Sequence, residues 1–62
     1  MSEYKRVHTI LNQLSTSIYI DLADISYWRN RVLFLHKHNR LSDEEACQLN
    51  ILLSNLEAKM GL

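Results

Sequence analysis

The chain has 62 residues, with seven Lys or Arg against seven Asp or Glu, and its net charge of zero argues against a strongly basic nucleic-acid binder. Its single cysteine, Cys47, excludes an intrachain disulfide, and no Cys/His set has zinc-finger spacing. A chain this short removes only roughly 60% of its unfolded surface from water, so very regular helix packing or self-association has to make up the difference.

Proline is absent and Gly61 is the only glycine, so the interior lacks the usual breakers and residues 1–62 read as a single helical, all-α domain. The first predicted element is a long helix from about Glu3 to His38. Tyr4, Val7, Leu11, Leu14, Ile18, Asp21, Ile25, Trp28, Val32 and Leu35 are spaced by alternating threes and fours, as on the seam of a coiled coil. Asp21 alone breaks the pattern, and Leu22 beside it can turn toward the same partner. The alternative is a break near residues 15–17, where Ser15, Thr16 and Ser17 are each possible N-caps, giving a three-helix bundle. Residues 17–22, S-I-Y-I-D-L, alternate like a short strand but have no second strand to pair with. His36, Lys37, His38 and Arg40 suit the negative end of a helix dipole, and Asn39 is a plausible terminator.

The second predicted helix runs from about Asp43 to Met60. Ser42 and Glu45 have capping-box spacing, Asp43 and Glu44 favour the positive end of the dipole, and Gly61 sits where a left-handed cap would close the helix. Its seam is Ala46, Leu49, Leu53, Leu56 and Met60, again in threes and fours. The two helices would form a lopsided hairpin, since the first is roughly 54 Å long and the second roughly 27 Å. Val7, Ile10, Leu11, Leu14 and Ile18 are then left without an intrachain partner and become the predicted dimer interface. Each helix also has a second apolar stripe, Ile20, Tyr27 and Phe34 on the first and Cys47, Ile51, Ala58 and Leu62 on the second. Two such hairpins predict a homodimeric four-helix bundle.

The zero charge is a sum of opposed blocks. Residues 25–41 carry Arg29, Arg31, Lys37 and Arg40 with no acid, whereas Ser42 to Leu62 carries Asp43, Glu44, Glu45 and Glu57 against Lys59. Tyr27 with Arg29, Arg31, Lys37 and Arg40 is therefore the candidate surface for a partner protein or, in the alternative, for nucleic acid. His36 and His38 point roughly 200° apart on a helix and cannot share a metal. Asp21 and Asp24 can share a face, with Lys59 expected near them in an antiparallel hairpin. No nucleophile or base is spaced for catalysis beside them, so no catalytic residue, cofactor, metal or small-molecule substrate is expected. Cys47 reads as a small buried side chain rather than a reactive thiol.

In its length, lack of proline, strict heptad seam and missing catalytic motif, the chain resembles the small α-helical accessory proteins of lambda-like phages and plasmids, such as the plasmid RNA-one modulator. Ser26 to Leu35, SYWRNRVLFL, is similar in texture to short early-region proteins of those phages. The likeness is one of layout, not of matched residues. It implies a compact helical dimer that acts by binding a host or partner protein. No apolar run follows Lys5 and Arg6 as in a signal peptide, and none is long enough to span a bilayer. The expectation is a cytoplasmic, non-enzymatic interaction protein without a membrane partner, with a small nucleic-acid-binding regulator as the second reading.

Overall fold

In a computed structural model that describes residues 2–17 and 20–60, the chain is all-α, with three helices: α1 (Glu3–Ser15), α2 (Leu22–Lys37) and α3 (Asp43–Lys59). The continuous helix expected from about Glu3 to His38 is therefore divided. Its roughly 54 Å would exceed the longest dimension of the molecule, which is 32 Å.

Local chemistry explains the break. From Thr16 to Asp21 the chain runs T-S-I-Y-I-D, all β-branched, aromatic or backbone-competing residues of poor helix propensity. Ser15 Oγ donates to the Asn12 carbonyl at 2.7 Å and Thr16 Oγ1 to the Gln13 carbonyl at 2.9 Å, satisfying last-turn acceptors with side chains. The Thr16 and Ser17 amides close the end with short-range bonds to the Gln13 and Leu14 carbonyls. α1 has no basic residue in its last turn, and Lys59 of α3 supplies one by donating from Nζ to the Ser15 carbonyl. Lys59 was expected beside Asp21 or Asp24, and the break puts it at the end of α1 instead.

Asp21 restarts the helix. Its backbone is extended, its Oδ1 accepts from the Ala23 amide at 3.0 Å, and its carbonyl accepts from Asp24 and Ile25. The polar residue on the predicted seam is thus an N-cap, and none of Ser15, Thr16 and Ser17 serves as one for α2.

The next turn follows its sequence signals closely. Asn39 has φ of 60°, the left-handed conformation that Asn tolerates better than most residues. Around it the Arg40 amide donates to the Leu35 carbonyl at 2.8 Å and the Asn39 amide to His36 at 3.2 Å, the paired bonds of a Schellman motif. Ser42 and Glu45 then complete the predicted capping box, with bonds of 3.1 and 3.0 Å. Asn39→Gly is expected to leave the thermal midpoint level or raised. Asn39→Val should cost about 1–2 kcal/mol, because a β-branched residue resists positive φ; chemical denaturation of the two variants measures the difference.

α3 packs against both α1 and α2. The buried core consists of Val7 and Leu11 from α1, Ile25, Val32 and Leu35 from α2, Leu41 from the connection, and Ala46, Leu49, Leu53 and Leu56 from α3. Every one except Leu41 is a predicted seam position. Tyr4, Leu14, Ile20, Trp28, Leu52 and Met60 pack around its edge. Helices α2 and α3, of 16 and 17 residues, are nearly matched in length, so the mismatch between a long and a short arm does not arise. The stripe on α1 folds back over α3 in the same chain.

Candidate interaction surfaces

The predicted dimer stripe is divided by this fold. Val7 and Leu11 are 2% and 1% exposed and lie in the chain's own core, where the return of α1 onto α3, impossible for a rigid long helix, supplies the intrachain partner the sequence spacing left missing. Leu14 packs at the core edge and Ile10 is half-buried. Ile18 lies outside the described residues, as do Gly61 and Leu62.

The basic block on α2 is largely answered from within. Arg29 is ion-paired with Glu57 of α3, and Arg40 Nη1 lies 3.6 Å from Glu3 Oε1 of α1. His36 Nε2 lies 2.6 Å from Asp43 Oδ1 at the start of α3. These contacts, exposed or partly exposed and each worth about 0–1 kcal/mol, link the three helices and answer part of the charge contrast between residues 25–41 and the acidic segment after them. Among the described residues, Arg31 and Lys37 have no ion-pair partner, and both are exposed. The five residues proposed as one surface therefore separate. Arg29 faces α3, Arg40 reaches α1, and Tyr27, Arg31 and Lys37 remain on the outside of α2.

Among the described residues two apolar surfaces stay open. The first is a groove between α2 and α3 made of two adjoining shallow depressions that share His36, Ala46 and Asn50, with Leu33 lining one and Cys47 and Ile51 the other. Leu33 is 64% exposed and Ile51 49%. Cys47, expected as a buried small residue, is exposed at this groove, because one step beyond Ala46 turns it about 100° away from the core.

The second surface is the outer face of α2. Tyr27 and Phe34, two turns apart, are both exposed. Tyr27 meets Trp28 edge-on at 5.0 Å, the Arg31 guanidinium lies 5.5 Å from the centre of the Phe34 ring, and His38 lies 4.3 Å from the same ring. His36 turns to Asp43 while His38 turns to Phe34, so the two histidines point apart as their spacing requires. Among the described residues no three His, Cys, Asp or Glu side chains are grouped to hold a metal ion, and no helix is long and apolar enough to cross a membrane.

Of the residues that form these surfaces, Tyr27, Phe34, Cys47 and Ile51 belong to the second stripes readable in the sequence. Leu33 does not. It falls outside both stripes and is recognisable only when the flank of α2 beside α3 is identified.

Comparison of the chain with protein-family models, curated proteins and solved structures finds no match.

Proposed function

We propose that this chain is a non-enzymatic helical interaction protein that self-associates and binds a host or partner protein, an accessory role of the kind its phage and plasmid likeness implies. The observation that carries the reading is the exposure of Tyr27, Leu33 and Phe34 on α2 and Ile51 on α3, each close to half exposed or more, in a chain whose core is already complete without them. Apolar side chains that lie outside the buried core and cluster on two faces are what a protein-binding surface requires.

Self-association is assigned to the α2–α3 groove, with Leu33 and Ile51 as its anchors. This replaces the stripe from Val7 to Ile18 as the interface. Pairing two copies along the groove covers the exposed flanks of both helices and yields a four-helix layer, with each α1 on the opposite side. The test is light scattering of the wild type against Leu33→Asp and Ile51→Asp. Both variants are expected to keep their helical circular dichroism, since neither residue is in the core, and to show half the wild-type mass. A wild type that scatters as a monomer at high concentration would remove the groove from consideration.

Nucleic-acid binding is the weaker reading, because pairing of Arg29 with Glu57 and of Arg40 with Glu3 leaves Arg31 and Lys37 as the α2 cations available to phosphate. Two phosphate contacts give only a shallow salt dependence and little affinity.

A further inference from the structure

Resting on the reading of the chain as an interaction protein, we propose that the outer face of α2 is a docking strip for an acidic amphipathic helix of the partner protein. Tyr27, Arg31, Phe34 and His38 follow one another at steps of four, three and four, which places them in a line roughly 16 Å long on one side of the helix. Phe34 points about 100° away from Leu33, so the strip is separate from the groove assigned to self-association.

Three features fit that occupant. The strip is already assembled: Arg31 and His38 both lie against Phe34, and Tyr27 is braced by Trp28, which itself packs on the core. A partner therefore meets anchors whose ordering cost is largely met in the free protein. Its aromatic anchors Tyr27 and Phe34 flank the Arg31 cation, and an amphipathic helix presents anchors with the same spacing. The charge is one-sided. Asp24 stands one turn ahead of Tyr27, but from Tyr27 to Arg40 no acid occurs in α2 or its cap, and Arg31 and Lys37 have no acidic partner among the described residues. Lys37 offsets the helix's own negative end, whereas Arg31 sits mid-helix and is free to meet a carboxylate. Single-stranded nucleic acid also stacks on aromatics, but it requires a denser run of cations than these two.

The test uses Trp28, the chain's only tryptophan and in contact with Tyr27, as the reporter. Three probes are titrated: a short synthetic helix with Leu on one face and Glu on the other, the same helix with Lys in place of Glu, and an oligo-dT strand. The Glu helix is expected to change Trp28 emission saturably, the other two not to. Phe34→Ala and Arg31→Glu should each weaken the Glu helix by at least about tenfold without altering helical content. The inference is overturned if the Lys helix binds as well, if the oligonucleotide binds instead, if none of the probes binds, or if both variants bind like the wild type. Self-association is read separately through Leu33→Asp and Ile51→Asp. A groove variant that dissociates while the Glu helix fails to bind sinks this strip alone, and a monomeric wild type that binds the Glu helix sinks only the self-association.

Discussion

Leu53→Ala is expected to cost about 2–5 kcal/mol, the range for a fully buried leucine whose cavity the surroundings cannot refill. Leu53 is 0% exposed and lies in the middle of α3, the helix that both others touch. A 62-residue chain has on the order of 3–9 kcal/mol of total stability, so this one truncation removes a large fraction of it. The thermal midpoint should fall by roughly 10 °C or more, since each kcal/mol shifts a domain of this size by about 4–8 °C. A loss below about 1 kcal/mol would mean that Leu53 is not at the centre of the core.

Leu11→Asp is expected to unfold the domain outright. Leu11 is 1% exposed and no cation is among the core residues around it, so an aspartate there is buried without a partner, at a cost of several kcal/mol against a stability of similar size. The fold specifies the readout. If α1 were the free half of a long helix paired with a second copy, the same substitution would separate the copies and leave the helices standing. With α1 folded onto α3 of its own chain, circular dichroism should show helix lost at every protein concentration.

These two positions also show what could be read in advance. Val7, Leu11, Ile25, Val32 and Leu35, and Ala46, Leu49, Leu53 and Leu56, are legible as the apolar seams of two predicted helices, because helical burial repeats every three or four residues whatever the tertiary arrangement. The capping box at Ser42 and Glu45 and the left-handed Asn39 are equally visible, since each is decided within a few residues. The break between α1 and α2 was legible only as an alternative. The three-and-four spacing runs straight through it, so periodicity alone cannot distinguish one helix from two that share a core. The decisive signals are weaker: poor helix formers from Thr16 to Asp21, and an Asp on the seam that serves as a cap.

The candidate surfaces are legible in part for a related reason. Tyr27 and Phe34 stand out as a second stripe, but sequence spacing does not say which cations another helix will neutralise. Arg29 and Arg40 are paired across 28 and 37 positions of chain, with Glu57 and Glu3, and only the fold brings those acids near. Lys59 likewise reaches Ser15 across 44 positions. Once these contacts are placed, the basic segment ceases to be one patch. It becomes a set of struts between helices plus a short aromatic and cationic strip on the outside of α2.

The measurement that most directly probes whether each chain covers its own first helix is an isotope-filtered nuclear Overhauser experiment on an equal mixture of labelled and unlabelled protein. Methyl contacts from Val7 and Leu11 to the α3 leucines should appear within a single labelled chain and be missing between labelled and unlabelled copies. Cross-peaks from Leu11 to α3 that arise only between copies would contradict the fold, and with it the assignment of the α2 faces as the surfaces left for binding.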